Sequence, residues 1–197
     1  MIPRHLILGA VVMIMLALGM SFYAWHMRGG ARQPDMASSQ PVEPPVSGPT
    51  EAVTLYVAYD DGGSLRAQPA RIPLPAGRQE RAGELLRALL NIYLDKSSPH
   101  LLAAGSEVRD VYLVDPGLAV IDLNTAFADG HRSGVLIEEL TVASLVETVS
   151  ANIPGITRAK ILVDGKERDT LAGHLDLTNF YDVAAFSQLV LQLQSAR

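Results

Sequence analysis

Cysteine is absent from the 197 residues of this chain. Its absence excludes disulfide bonds, thiolate metal sites, a cysteine nucleophile and a lipidated cysteine anchor. Dense runs of Lys or Arg are also missing, and the chain after residue 32 carries 13 basic and 21 acidic residues, a formal charge of −8. An acidic segment of this kind repels phosphate groups, so the sequence predicts no nucleic-acid partner.

Several motifs that carry catalysis or metal binding are missing as well. The sequence contains no G-x-S-x-G, no H-E-x-x-H and no EF-hand spacing, and Ser133-Gly134 lacks the preceding glycine of a nucleophile elbow. The turn sequences 60–63 and 115–117 lie inside hairpins rather than between a strand and a helix, so they do not form phosphate-binding loops. No cofactor is expected.

One long apolar run is present at the N-terminus. Residues 6–25, LILGAVVMIMLALGMSFYAW, carry no charge and could form a helix about 30 Å long, close to the thickness of a bilayer's hydrocarbon core. Aromatic residues gather at its end, as they do at membrane interfaces. We interpret residues 1–28 as an uncleaved transmembrane anchor. The alternative is a cleaved signal peptide with a small-residue site at Ala17-Leu18-Gly19.

The segment after the anchor has a linker composition. Residues 29–51 contain five prolines among small polar residues, which favours an extended tether. Arg4 lies on one side of the span and Arg28 and Arg32 on the other, so charge alone does not favour export of the domain. We nevertheless expect a single-pass protein of the inner (cytoplasmic) membrane with its C-terminal domain in the periplasm.

The remaining sequence alternates strand hairpins with amphipathic helices. Strands are predicted at 53–59, 65–72, 108–114, 118–123 and 159–163, with turns at 60–63, 115–117 and Asp164-Gly165, and a short arm over 166–171. Pro69 suggests an edge strand. Glycines Gly62, Gly117 and Gly165 are expected to supply positive φ in the turns.

Two helices separate the hairpins. Apolar residues at three- and four-residue spacing predict helices over 79–94 and 134–152, and a third from about 180 that more readily docks on its own domain than on a partner. The order ββ-α-ββ-α-β predicts an α+β fold with one mixed or antiparallel sheet packed by two helices, plus the C-terminal helix. The domain is expected to span 52–178 and the C-terminal helix 179–197.

Four polar residues are the best candidates for a site. His131 and His174, with Asp122 and Asp176, offer nitrogen and oxygen ligands that suit zinc or manganese, and Glu138 is a possible further ligand. Adjacent Glu138 and Glu139 project about 100° apart on a helix and make no ready acid/base pair. The structural interpretation is that Gly173 lets the chain turn and His174 ties this loop to backbone or to a carboxylate. The sequence favours that interpretation, with no catalytic or metal residue.

Five segments together resemble the GerMN domain, the sporulation and spore germination domain. They are ILVDGKERDTLAGHLDL (161–177), ELTVASLVETVSANIPGITRAK (139–160), VTLYVAYDDGGSL (53–65), VRDVYLVDPGLAVIDLNTAF (108–127) and GHRSGVLIEELTV (130–142). The resemblance implies a small, exported α+β domain, usually tethered to a membrane, with no established catalytic residues. This chain differs from well-known members in lacking a lipobox cysteine and in having one copy of the domain.

The resulting hypothesis is a non-catalytic, membrane-anchored domain that binds an envelope protein or a second copy of itself, through the sheet edge near Pro69 or the C-terminal helix. The alternative is a cell-wall-directed hydrolase or ligand-binding module with Asp122, His131, His174 and Asp176 in one cleft.

Overall fold

A computed structural model describes Met15 and residues 48–188 of the chain. The fold belongs to the second of two units into which the chain divides, Val46–Arg197. Apart from Met15, the predicted anchor with its alternative cleavage site, the linker up to residue 47 and residues 189–197 lie outside this range. Within the described part of the chain, no helix is long and apolar enough to span a bilayer.

Within residues 48–188, the domain has six strands and three complete helices, and a further helical segment begins at residue 183. The strands are β1 (Thr50–Tyr59), β2 (Ser64–Pro73), β3 (Val108–Val114), β4 (Leu118–Leu123), β5 (Arg158–Val163) and β6 (Tyr181–Asp182). The helices are α1 (Arg78–Leu94), a short α2 (Thr125–Asp129) and α3 (Val135–Asn152). The predicted α+β class is confirmed, and the two long helices and five predicted strands lie within a few residues of their expected bounds.

The strands form two sheets instead of the single sheet predicted. β1 and β2 form an antiparallel pair, and the other four strands form a sheet in the order β3-β4-β5-β6 among the described residues. β4 and β5 are parallel, while β3–β4 and β5–β6 are antiparallel. Local sequence marks each hairpin but does not encode which hairpins pair with each other, because that choice depends on how the helices between them pack.

Three local predictions also need correction. Residues 60–62 form a 3₁₀ turn, so the positive φ of 53° falls on Gly63 rather than on Gly62. β1 begins at Thr50, two residues inside the expected linker, because its pairing with β2 extends to Pro73. The expected arm over 166–171 forms no strand and makes two isolated bridges, between Val163 and Lys166 and between Thr170 and Asp176.

One hydrophobic core joins both sheets to α1 and α3. The apolar faces of the helices supply Leu85, Leu86, Leu89, Leu140 and Leu145, each at most 1% exposed. The strands add Leu55, Val57, Ile121 and Ile161, which are also at most 1% exposed. Burial of large aliphatic side chains contributes roughly 1.5–3 kcal/mol each, so this core is the main source of stability.

Helix side chains cover one edge of β1. The backbone N–H groups of Thr54, Tyr56 and Ala58 donate to Asn152 Oδ1 (3.2 Å), Thr148 Oγ1 (3.0 Å) and Tyr93 Oη (2.8 Å). Asn152 also returns a hydrogen bond to Thr54 O at 2.7 Å. These side chains replace a neighbouring strand, so the edge is closed to pairing with other chains.

The outer edge of β2 is protected in a different way. Thr54 and Pro69 are partners in the β1–β2 register, and Thr54 directs its N–H away from β2. The backbone nitrogen of Pro69 therefore points to the outer side of the hairpin. Within the described range, no further strand pairs on that side. Pro69 therefore lies on an edge, as predicted. A proline there has no N–H to offer, so it weakens this edge as a docking site for an added strand.

The beginning of the C-terminal segment packs on its own domain. β6 pairs with β5, residues 183–188 are helical, and Phe186 is 9% exposed with its ring 4.9 Å from that of Tyr181. The hydroxyl of Ser187 donates to Glu147 Oε1 on α3. This part of the predicted helix is a packing element, and its start at 180 is replaced by β6.

Replacing Asn152 with alanine is expected to lower the free energy of unfolding by about 2 kcal/mol, because Thr54 loses partners for both its N–H and its C=O. Urea unfolding monitored by circular dichroism measures the change. Asn91→Ala is the matched control, since Asn91 is an exposed helix residue and should change stability by less than about 0.5 kcal/mol. Equal effects of the two variants would contradict the role of Asn152 at the β1 edge.

Candidate functional site

Glu138 holds the loop 172–175 against the first turn of α3. Although its side chain is fully buried, it accepts backbone hydrogen bonds at Oε2 from Ala172 (3.0 Å), His174 (3.1 Å) and Leu175 (2.9 Å). Its other oxygen, Oε1, accepts from the N–H of Gly134 at 3.1 Å. We call this arrangement the Glu138 clasp. Three loop N–H groups thus surround one carboxylate oxygen. They form a backbone anion-binding site, and the anion bound there is the protein's own Glu138 carboxylate.

The clasp stabilises the charged form of Glu138. Burial raises the pKa of this carboxyl group, but the backbone N–H groups of Leu175, Gly134 and Ala172 and the His174 side chain together lower the pKa to about 2. A carboxylate with several N–H donors is favoured in its ionised form. Glu138 is therefore an anion at neutral pH, and both of its oxygens accept hydrogen bonds. A general acid, in contrast, must carry a proton that it can donate.

His174 contacts the same carboxylate through its ring. His174 Nδ1 lies 3.0 Å from Glu138 Oε1 and 3.2 Å from Ser133 Oγ, and its side chain is 44% exposed. Gly173, with a φ of 113°, lets the loop turn before it. The structure therefore places His174 as a tie between the loop and a carboxylate, which is one of the two contacts, backbone or carboxylate, that the structural interpretation left open.

His131 belongs to a second set of contacts, deeper in the domain. His131 Nε2 and His100 Nε2 each lie 2.7 Å from Thr141 Oγ1, one on either side of it. His131 Nδ1 lies 2.8 Å from the carbonyl oxygen of Arg132, and His100 Nδ1 lies 2.6 Å from Asp60 Oδ1. We call the series Asp60–His100–Thr141–His131–Arg132 O the histidine chain. It ties the tip of the first hairpin to α3.

Asp122 fixes the turn after β5. Its Oδ1 accepts a hydrogen bond of 2.7 Å from the N–H of Gly165, and its Oδ2 lies 3.5 Å from Arg109. Arg109 also pairs with Asp164 at 3.2 Å, and Asp164 has a φ of 51°. Asp122 thus fixes the turn next to Asp164, whose φ is strained. The guanidinium of Arg109 pairs with both carboxylates.

Asp176 organises an exposed turn. Its carboxylate accepts hydrogen bonds from Thr178 N–H (2.7 Å), Thr178 Oγ1 (2.5 Å) and Asn179 Nδ2 (2.6 Å). The hydroxyl and backbone N–H of Thr178 lower the pKa of this carboxyl group below its usual value. These three donors all lie within three residues of Asp176 along the chain, which is typical of an Asx turn.

The four sequence candidates therefore have four separate partners. Asp122 contacts Gly165, His131 contacts Thr141, His174 contacts Glu138, and Asp176 contacts Thr178. Among the residues that the structure describes, no three His, Asp or Glu side chains are grouped so that they could hold a metal ion. The candidates do not form the single cleft that the enzyme alternative requires.

Elsewhere on the surface, the described residues border grooves at two further places. One of about 710 Å³ is bordered by Arg78, Val114, Pro116, Pro154 and Thr157, and another of about 400 Å³ by Arg87, Leu90, Leu94 and Ser106. None of the four candidates borders either groove.

Sequence reasoning missed His100 and gave Glu138 a secondary place. His100 lies in the irregular segment 95–106, and no local pattern indicates that it is wholly buried. Glu138 did carry a signal, because an acidic residue in the first turn of a helix that follows Ser133-Gly134 commonly satisfies N–H groups at the helix start. The extension of that role to a distant loop has no sequence signature.

Comparison with known proteins places most of the domain in one family. A model of the Germane family, described as sporulation and spore germination, matches residues 54–169. No curated protein matches this chain significantly.

Two solved structures from Bacillus subtilis are similar to this chain. The tandem GerMN domains of the sporulation protein GerM are 18% identical, with a TM-score of 0.51, over 68% of this chain and 46% of that one. The first GerMN domain of GerM is 20% identical, with a TM-score of 0.47, over 66% of this chain and 94% of that one. At these identities the tandem structure supports the fold alone.

Proposed function

The chain belongs to the Germane (GerMN) family of sporulation and spore germination domains, and from this premise we propose that it is a non-catalytic domain, anchored to the membrane by residues 6–25, that binds a protein partner outside the cytoplasm. The observation that carries the binding role is a partly exposed apolar face of the four-stranded sheet. The anchor is supported by the apolar sequence of the N-terminus.

The two faces of this sheet differ sharply. On β4 and β5 the alternate residues Ala119, Ile121, Ala159 and Ile161 are at most 1% exposed and belong to the core. On the opposite face, Tyr112 and Val114 of β3 are 45% and 47% exposed. A face with exposed large apolar side chains is typical of an interaction surface, since soluble domains usually cover such residues.

These side chains form a continuous patch. In the strand register Tyr112 lies opposite Val120, and Val114 lies opposite Leu118. The next strand places Arg158 beside Leu118 and Lys160 beside Val120. Phe180, 55% exposed, completes it, with its ring centre 5.6 Å from the Arg158 guanidinium. The patch, which we call the outer sheet face, consists of Tyr112, Val114, Leu118, Val120, Arg158 and Phe180.

Charge indicates what the partner presents. Lys160 is occupied by Glu167 at 2.9 Å and by the carbonyls of Leu177 and Thr178. Arg158 has no ion pair within the part of the chain that the structure describes, so its charge is free to bind a carboxylate. Arginine and aromatic residues are also the side chains that contribute most to protein interfaces. We therefore propose a partner protein with an acidic side chain next to apolar ones.

Photo-crosslinking in native envelopes tests this proposal. Benzoylphenylalanine in place of Tyr112 or Phe180 is expected to give a protein adduct, whereas the same residue at Leu74, 57% exposed on the β2–α1 connection, should give none. The mass of the adduct distinguishes another protein from a second copy of this chain.

Charge reversal supplies a second readout with a matched control. Arg158→Glu is expected to reduce the adduct yield from position 112 about tenfold, the effect of roughly 1.4 kcal/mol of binding energy. Arg66→Glu is the control, because Arg66 also lies over an aromatic ring, 4.2 Å from the centre of Tyr59, but on the other sheet. Equal losses in both variants, or adducts from Leu74 as strong as those from Tyr112, would refute the outer sheet face as the binding surface.

The enzyme alternative gains no support from the separated candidates. A His174→Ala variant, tested for bound metal and for wall degradation beside the unaltered protein, addresses it directly. Activity that depends on His174 while the fold is retained would overturn the non-catalytic proposal.

A further inference from the structure

The histidine chain contains fewer hydrogens than contacts. Its two ends, the Asp60 carboxylate and the Arg132 carbonyl, are both acceptors, and four contacts of 2.6–2.8 Å lie between them. Each contact needs one hydrogen. Two neutral imidazoles and one threonine hydroxyl supply three. With neutral side chains, one contact would therefore place two acceptors against each other.

The groups around the histidine chain increase this shortage of hydrogens. The Thr141 hydroxyl also lies 2.9 Å from the carbonyl oxygen of Ile137, which competes for its single hydrogen. His100 and Thr141 are fully buried and His131 is 8% exposed, so water does not readily supply the missing donor. A buried acceptor without a donor is costly and rare in folded proteins.

One additional proton completes the chain. We propose that the histidine chain binds one proton more than its neutral side chains carry, and that release of this proton opens one contact between the first hairpin and α3. An imidazolium at His100 would donate to Asp60 and Thr141, and Thr141 would then donate to a neutral His131. This proton-binding site is independent of the proposed partner surface.

The charges around the two rings identify where the proton resides. Burial lowers the pKa of both histidines below its ordinary value and opposes the proton. Asp60 at His100, and the Arg132 carbonyl and Glu138 at His131, act to raise the pKa and counter this only in part. Arg132, which donates to Asp60, disfavours the proton on either ring. Although burial raises the pKa of Asp60, hydrogen bonds from Arg132 and His100 keep it below its usual value. Tyr93, whose ring lies 4.9 Å from His100, is neutral because burial raises its pKa.

The fourth hydrogen bond acts against the effect of burial, and His100 is the favoured position because, of the two rings, only that of His100 contacts a carboxylate. Loss of the proton as the pH rises would leave Nδ1 of His100 facing Asp60 without a hydrogen. The hairpin tip at 60–62, which also donates Asp60 N–H to Pro99 O at 3.1 Å, would then be held less firmly. The strength of the contact between the first hairpin and α3 would thus depend on pH.

Nitrogen NMR on the full chain in detergent, with ¹⁵N-labelled histidine, counts the protons directly. At about pH 5.5, one unit below the ordinary pKa of histidine, one ring of the pair His100 and His131 is expected to be protonated on both nitrogens and the other on one. Two singly protonated rings would overturn the proposal, and so would two doubly protonated rings.

Asp60→Asn is a matched test that changes one atom. The amide can accept from Arg132 through its oxygen and donate to His100 through its nitrogen, so four hydrogens are present without the extra proton. Both rings should then be singly protonated at the same pH. Asp61→Asn, at an exposed neighbouring position, should behave as the unaltered chain.

Discussion

Replacing Glu138 with glutamine is expected to lower the free energy of unfolding by about 3 kcal/mol, the cost of disrupting a buried, hydrogen-bonded charge. Both oxygens of Glu138 accept hydrogen bonds, with Ala172, His174 and Leu175 at one and Gly134 at the other. An amide group can keep one acceptor but must place its NH₂ where the second oxygen was. At least one backbone N–H then faces a donor in a buried site.

The measurement is thermal unfolding followed by circular dichroism. A loss of about 3 kcal/mol should lower Tm by roughly 10 °C in a domain of this size. Glu139→Gln is the matched control, because Glu139 is the next residue of the same helix and its side chain makes no hydrogen bond or ion pair within residues 48–188. It should shift Tm by no more than about 2 °C. A Glu138 variant as stable as this control would show that the clasp is dispensable.

Acid should unfold the domain in a way that depends on the same carboxylate. The pKa of Glu138 is about 2 in the folded protein, against an ordinary value of 4.5. A lowered pKa contributes stability that is fully present above 4.5 and is lost as the pH falls towards 2. The difference of about 2.5 units corresponds to roughly 3 kcal/mol of stability lost in that window.

Urea unfolding at several pH values between 2 and 5 measures this loss. Glu138→Gln should show a much flatter dependence, because it has no proton to take up at this position. Asp60 and Asp176, whose pKa values are also lowered, should leave a smaller residual slope. Parallel slopes for the variant and the unaltered chain would mean that the clasp does not stabilise the ionised form.

The sequence predicts those elements of the fold whose pattern lies in neighbouring residues. The hairpin of β3 and β4 was predicted to the residue, because branched residues flank Asp115-Pro116-Gly117, and a turn of this kind fixes the pairing of adjacent strands. The two long helices were predicted from their apolar spacing. The parallel pairing of β4 with β5 joins residues 40 positions apart and has no comparable local signal.

The polar site could be predicted from the sequence only in part. His174 was identified from Gly173 and the loop composition, and its contact with a carboxylate was expected in general terms. That the carboxylate is Glu138, which also holds three loop N–H groups, depends on where the chain returns after β5. His100 had no signal at all, because burial of an irregular loop is decided by its surroundings. The separation of Asp122 from Asp176 likewise follows from the tertiary structure.

The covered edge of β1 has a consequence for the order in which the chain folds. Thr54 and Tyr56 receive their partners from residues 98 and 92 positions further along the chain. The first hairpin can form as soon as β2 is available, but its edge stays unpaired until α3 has been made and has docked. Contacts over such separations form late, and an unpaired strand can meanwhile join another chain. Assembly of this domain is therefore most vulnerable to aggregation between synthesis of the hairpin and arrival of α3.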